Sequence, residues 1–583
     1  MGYTLKNTTG FTSTLRSLLA LSGLFLSAGL VVGACSDAAP ADNAAADTPE
    51  ALARKGATPG AQEIIFARVY YKDVADLERM AEELDLLESA DRSAGWVGAI
   101  LDPERYDDLV ERGYRVDVLS REATGAPRAF SSSSSGVPGY PCYRTVEETE
   151  AALHTIASDH PDLATIVDIG DSWTKVTSGG SDGYDLLVLK LTNSAIPGPK
   201  PAFFLMGAIH AREYVTAETA LRFAEKMVNG YGTDPDATWL LDNYELHVLP
   251  QANPDGRKLA EQGYYQRKNV DDKSGGCWGP PTGSSQIGTD LNRNSSYRWG
   301  GPGATTAPCD QMYRGKSAAS EPETKAIQGY LASIFPDQRG PKDTDAAPSD
   351  ASGMFLSLHS YGPFVLYPWA WTAAGSPNGS QLATLGRKFG YFNGYPVCQP
   401  STCLYAASGS TDDWTYGALG TASFTFEMGN AFFQSCSSYE STVAPSNLPA
   451  ILYAFKAARR PYQAPAGPDS LGVSVSASAV SAGATVTLKA TADDTRYASN
   501  GNGAEPTQSI AGARYSVGGP SWATGVTTVA MSASDGAFNA KKEGVTAQIS
   551  TEGWASGRHL IVVESQDAAG NWGVPSAVFL DIE

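Results

Sequence analysis

Histidine is scarce in this chain, with six among 583 residues. Cysteine is nearly as rare: there are seven, and no two of them form a Cys-x-x-Cys pair, which argues against a cysteine-rich metal site. Beyond residue 34 no apolar run is long enough to span a bilayer. Cations are outnumbered, 43 Lys and Arg against 63 Asp and Glu, giving a net charge of −20. A chain this acidic has no basic footprint for nucleic acid, and its charge serves mainly solubility. No internal repeat is present.

The length allows several domains. Gly 60, Pro 35 and 42% hydrophobic residues describe a loop-rich globular chain with ample core material. The beginning reads as an export segment: Lys6 and Arg16 lead into the apolar stretch 18–34 (LLALSGLFLSAGLVVGA), followed by Cys35. VVGAC also resembles a bacterial lipobox, in which the cysteine becomes the lipidated first residue. Residues 1–35 are therefore expected to place the protein outside a bacterial cytoplasm. It would be either a cell-envelope lipoprotein attached to the membrane through Cys35 or, after a plain small-residue cut, a secreted protein. Six further cysteines in an exported chain read as disulfides. The expected pairs are Cys277–Cys309, Cys398–Cys403, close in sequence, and Cys142–Cys436, which would tie the two ends of one domain.

Composition divides the rest. Residues 36–60, rich in Ala, Asp and Pro, read as a disordered tether. Residues 61–120 read as a small α/β module. EIIFARVYY alternates as a strand and DVADLERMAEELDLL carries helical spacing. WVGAILD, PERYDDLVERG and YRVDVLS repeat strand, helix and strand. A Ser/Gly/Pro linker spans 121–139. A module set before a linker and a larger unit reads as a prodomain or as a structural cap. Over 140–462, helical patterns such as AETALRFAEKMVNGYG alternate with the apolar strands DLLVLKLT, AFFLMGAI, YELHVLPQ, MFLSLHS and ASFTFEM. This predicts an α/β fold with a mixed, mostly parallel sheet and helices on both faces. In such sheets, ligands sit beyond the carboxyl ends of the strands. Residues 466–583 have short alternating runs and hardly a helical pattern, which predicts an immunoglobulin- or fibronectin-like β-sandwich. Such modules bind or space; this one has no catalytic cluster, and its expected ligand is an unidentified surface or polymer.

The strand PAFFLMGAI runs into His210, and Glu213 follows three residues later. That spacing puts both on one side of a turn or helix start, and both are zinc donors. Two donors alone fit equally well a packed histidine beside a surface carboxylate. His359 ends another apolar strand, MFLSLH. His154 and His160 lie in a polar helical segment, His247 is mid-strand, and His559 is in the last module, so only His210 and His359 end strands of the large unit. Asp290 is a candidate to accept the second N–H of a ligand imidazole. Glu427 ends ASFTFE, and a carboxylate beside metal-bound water can serve as general base.

In order, these segments resemble the zinc carboxypeptidase family, the carboxypeptidase A/B-like metallopeptidases. GAIHAREYV resembles the first ligand motif, QANPDG (251–256) a marker turn, and YYQRKNV the segment of the transition-state arginine. GTDLNRNSSYRWGG resembles the segment whose Asn-Arg pair binds the substrate carboxylate, and YRGKSAASEPET the stretch before the next helix. FLSLHSYG resembles the third-ligand motif, LYAASGSTDDW that of the mobile tyrosine, and SFTFEMG that of the general base. The resemblance covers 140–460. It implies one Zn2+ on His210, Glu213 and His359, with Glu427 as base and Arg267 on the oxyanion. It also implies Asn292 and Arg293 on the substrate carboxylate, Ser360 and Tyr361, beside the third ligand, as further substrate-binding residues, Tyr405 over the substrate terminus, and Arg212 on the substrate further from that terminus. The implied activity is an exported metallocarboxypeptidase that hydrolyses the C-terminal bond of peptides and proteins. Aligned on its flanking Tyr and Trp, Asp412 falls at the pocket floor, where an acidic residue accompanies preference for terminal Lys or Arg; its plain reading is a turn cap. Two other readings stand beside this one. One is a hydrolase of the same fold acting on peptidoglycan stem peptides or N-acyl amino acids, and the other a non-catalytic surface binding protein.

Overall fold

The computed structural model describes residues 62–124, 135–277, 281–282, 285–501 and 503–583. The export segment, lipobox and tether expected over 1–60 lie outside the described residues.

The first described body is an antiparallel sheet of β1 (Gln62–Tyr70), β2 (Asp85–Asp91), β3 (Trp96–Leu101) and β4 (Val116–Thr124), in the order β2-β3-β1-β4. Two helices, Val74–Glu83 and Pro103–Glu111, pack on it. Asp73 and Asp102 cap them by accepting the N–H groups of Asp76 and Arg105. Strand alternation sends Ile65, Ala67 and Val69 into the core with the helix residues Leu77 and Met80. It sends Ile64 and Phe66 to the other face, where with Leu87 and Ile100 they meet Tyr265 and Phe432 of the next domain. The helical spacing read over DVADLERMAEELDLL overruns the helix, which stops at Glu83. Leu86 and Leu87 are needed on opposite faces of a buried strand, and a short apolar run does not distinguish the two periods.

The central sheet has eight strands in the order β11-β10-β12-β9-β7-β8-β6-β5. They are β5 (Ala164–Asp171), β6 (Asp185–Leu191), β7 (Ala202–Met206), β8 (Glu245–Leu249), β9 (Met354–His359), β10 (Phe364–Leu366), β11 (Val397–Cys398) and β12 (Ala422–Glu427). β7, β8, β9 and β12 run parallel; β6 pairs antiparallel with β5 and β8, and β10 pairs antiparallel with β12 and parallel with β11. Every residue of β7, β9 and β12 is buried, as strands covered on both faces must be. Phe203 and Leu205 pack with the helices Tyr214–Gly230 and Ala444–Ala457, whereas Phe204 and Met206 pack with Pro322–Ile334. The α/β fold with helices on both faces is thus as the sequence predicts. The three expected disulfides, Cys142–Cys436, Cys277–Cys309 and Cys398–Cys403, are formed.

The last body is an eight-stranded, mostly antiparallel, sandwich-like module. Its strands are β13 (Asp469–Val475), β14 (Ala479–Val480), β15 (Thr485–Asp493), β16 (Ile510–Val517), β17 (Thr528–Ala533), β18 (Lys542–Ser550), β19 (Gly557–Asp567) and β20 (Ser576–Ile582). β17 pairs with both β16 and β18 and so joins the two halves. This module is docked firmly. Lys388, wholly buried on the helix Gly379–Asn393, bonds Asp469 at 2.9 Å, and its ammonium lies 4.0 Å over the Tyr497 ring. Ala498 donates its N–H to the Arg387 carbonyl, and Gly501 bridges Val397 at the edge of the central sheet.

Breaking a buried pair leaves a charge without compensation. Lys388→Met, which leaves Arg496, at 3.3 Å, as the remaining ion pair of Asp469 among the described residues, is expected to cost about 3 kcal/mol. The readout is a lower urea midpoint at unchanged m-value; an unchanged midpoint would show that this contact does not stabilise the docking.

Candidate metal centre and catalytic pocket

After β7 the chain turns at Gly207 and Ala208. A Cβ on Gly207 would stand 2.8 Å from the Thr216 carbonyl, so only glycine lets the chain approach the following helix this closely. Ala208 adopts a positive φ of 54°. The turn delivers His210, and Glu213 sits at the N-cap of Tyr214–Gly230. His359 and Glu427 are the last residues of β9 and β12 and face each other in the parallel register. Strand ends and one helix start therefore converge on a point beyond the carboxyl edge of the sheet, as this class of fold arranges its sites.

The donor atoms of His210, Glu213 and His359 all lie within 4.8 Å of one another. His210 Nδ1 is 2.8 Å from Glu213 Oε1 and 3.1 Å from His359 Nδ1, and His359 Nδ1 is 3.4 Å from Glu213 Oε2. Burial pushes the Glu213 carboxyl up, but the two imidazoles together outweigh it and hold it down to about 2. Ser360 donates its N–H to Glu213 Oε2 at 3.1 Å. Asp290 accepts from His210 Nε2 at 3.2 Å through Oδ1 and from Arg267 Nε at 3.0 Å through Oδ2. Burial would raise its carboxyl, yet Arg267 and His210 hold it well below the usual range. Two imidazole nitrogens and a carboxylate, all buried and turned toward one another, form a donor set that suits Zn2+. Asp290 stands where it fixes the His210 tautomer.

Around this set lies a small pocket of about 40 Å³, lined by Arg267, Asn292, Arg293, Tyr405, Asp412 and Glu427 among others. Among the described residues, buried Arg267 Nη1 and Nη2 and Glu427 Oε2 have no hydrogen-bond partner, unusual for buried polar atoms. Burial, with Glu88 and Glu213 nearby, pushes the Glu427 carboxyl well up. Arg293 is held by the carbonyls of Gly303 and Asn292, at 2.7 and 2.9 Å. Asn292 Oδ1 accepts the Thr411 N–H. The two adjacent aspartates diverge: Asp413 accepts the N–H groups of Ala370 and Trp371, whereas Asp412 lines the pocket, its carboxyl raised by burial. Tyr361 packs on Phe432 beside the pocket, their ring centroids 4.8 Å apart.

Two residues here were not among the sequence candidates. Glu88, on β2, lines the same pocket, and the Tyr405 hydroxyl is shared between the Leu86 carbonyl (3.1 Å) and Glu88 Oε1 (3.3 Å). Burial raises the Glu88 carboxyl and Arg267 opposes that rise. Asp85, on the same strand, takes both terminal nitrogens of Arg212 at 2.7 and 3.0 Å, and that guanidinium lies 4.1 Å over the Phe432 ring. Within DLLESAD neither acid carries a local signal, because their partners come from another domain.

A buried His, Glu, His donor set beyond the carboxyl edge of an α/β sheet supplies the three protein ligands of a catalytic zinc site, the mark of a metal-dependent hydrolase. The chain belongs to the zinc carboxypeptidase family, whose profile matches residues 149–445. It is similar to rat (Rattus norvegicus) carboxypeptidase A2, 29% identical over 300 residues covering 50% of this chain and 64% of that protein. It is also similar to bovine (Bos taurus) carboxypeptidase A1, 30% identical over 335 residues, 56% of this chain and 71% of that one. Bovine carboxypeptidase B is 30% identical over 332 residues, 55% and 72%. The chain thus spans under two thirds of the length of the rat protein. In fold it resembles carboxypeptidase A from Helicoverpa armigera, with a TM-score of 0.54, 21% identity, and 68% of this chain and 98% of that one covered. It likewise resembles thrombin activatable fibrinolysis inhibitor, with a TM-score of 0.52, 21% identity, and 68% and 99% covered.

Metal titration is expected to give one Zn2+ per chain. Asp290→Asn, which removes the carboxylate from His210 Nε2, is expected to weaken it by about 10–100-fold, and His359→Ala by more. Unchanged affinity in both variants would place the ion elsewhere.

Proposed function

We propose that this protein is an exported zinc-dependent metallocarboxypeptidase that removes the last residue of peptides and proteins. The observation that carries this reading is the set of buried atoms without a partner among the described residues, Arg267 Nη1 and Nη2 and Glu427 Oε2, in one pocket at the His210, Glu213 and His359 donors. When bound there, zinc would supply a Lewis acid and acidify water. Glu427 takes the proton as water attacks the carbonyl carbon and returns it to the amide nitrogen as the C–N bond breaks. Arg267, fixed through Nε by Asp290, offers its free N–H groups to the developing oxyanion. Arg293 and Asn292 hold the terminal carboxylate under Tyr405, which selects chain ends. Asp412 faces a terminal Lys or Arg, whose charge would compensate a carboxylate otherwise buried alone.

In this reading residues 62–124 keep the enzyme latent. Glu88 occupies the space of the substrate beside Arg267 and Tyr405, and Asp85 neutralises Arg212. Cleavage between residues 124 and 135 would release the module.

The test compares peptides ending in Arg and in Phe, with and without chelator, on the full chain before and after such cleavage. Release of the last residue is expected only after cleavage and only without chelator. Glu427→Gln is expected to lower the rate by about 10²–10⁴-fold. Asp412→Ser is expected to erase the advantage of Arg over Phe. In the uncleaved chain, Asp85→Asn with Glu88→Ala is expected to restore activity. No release from either peptide by zinc-loaded, cleaved protein would overturn the reading.

A further inference from the structure

A second cavity, about 490 Å³, opens where the catalytic domain meets the terminal sandwich. Tyr244 in its wall immediately precedes β8, so the cavity lies at the amino edge of the parallel strands. His210, His359 and Glu427 stand at the opposite edge. The five residues of β8 alone separate the two edges by roughly 16 Å, so an occupant here does not meet the reacting groups.

In a chain with a net charge of −20, this cavity is lined by four cations, Lys456, Arg459, Arg460 and Arg514, and one acid, Glu564. Two are neutralised, Lys456 by Asp236 at 2.6 Å and Arg514 by Glu564 at 2.8 Å. Among the described residues, no carboxylate forms an ion pair with Arg459 or Arg460. Two indoles supply flat walls, with Arg459 4.5 Å over Trp522 and Arg514 3.8 Å over Trp572. A guanidinium stacked on an indole keeps its in-plane N–H fork for an oxyanion. Burial and the neighbouring Arg460 both disfavour the charge on Arg459, a strain that an anion between the two would relieve.

We propose that this cavity binds an organic anion. A carboxylate or phosphate head sits on Arg459 and Arg460, and a ring or apolar body lies along Trp522 and Trp572. Calorimetric titration of the full chain with phenyl phosphate, benzoate and inorganic phosphate tests this. At least one ring anion is expected to bind saturably, the better of the two identifying the head group. Inorganic phosphate is expected to bind about tenfold more weakly, the equivalent of one ring contact. Arg459→Gln with Arg460→Gln is expected to lose at least about tenfold, the value of one charge-assisted bond. Arg293→Gln, altered in the catalytic pocket, is expected to bind as the native chain does. Glu564→Gln, which frees Arg514 from its competing acid, is expected to tighten binding, so the proposal stays testable if the double variant does not fold. Absence of saturable binding, loss in Arg293→Gln instead of the double variant, or unchanged affinity in Glu564→Gln would each overturn it. Equal binding of inorganic phosphate would mean an adventitious ion only.

Discussion

The parallel pairing of β9 with β12 is the constraint on which the catalytic end depends. Glu427 stands opposite His359 because those strands share one register. A slip of one residue would turn both side chains to the other face. β7 holds the same register against β9, ending with Met206 beside Ser357, so only the short Gly207–Ala208 turn is needed to bring His210 into place. Asp290 then ties His210 to Arg267 through its two oxygens. The candidate metal donor His210 and the free N–H groups of Arg267 thus rest on the same carboxylate.

Much of this was legible in the sequence because the large domain is locally consistent. Its buried strands read as largely apolar runs, and each of His210, His359 and Glu427 is the first ionisable residue at or just after the end of such a run. The resemblance of the ordered motifs then gave roles that spacing alone left open. What was not legible depends on long-range contact. The period of AEELDLLESAD is ambiguous because Leu86 and Leu87 serve two cores, one inside their own module and one shared with Tyr265 and Phe432. Asp85 and Glu88 look like ordinary surface acids until the cationic and phenolic groups of another domain surround them. Nothing in the terminal sandwich announces its docking either: the buried Lys388 lies in a helix 81 residues from Asp469.

The three bodies therefore contribute unequally to one pocket. The central sheet positions His210, His359 and Glu427. The first module adds an acidic strand and an apolar face that shields Arg212 and Tyr405. The sandwich grips the helix Gly379–Asn393 and the β11 edge, and the disulfide Cys398–Cys403 links that edge to the short helix just before Tyr405.

The bond between Cys142 and Cys436 joins positions 294 residues apart, near the start and the end of the catalytic domain. Between them the backbone is a covalent ring. A single peptide-bond break anywhere inside that ring leaves one molecule, its two pieces still joined through the disulfide. In an oxidising, protease-rich medium such a chain can be nicked in an exposed loop and keep its sheet assembled. Only reduction of the bond would let the fragments part.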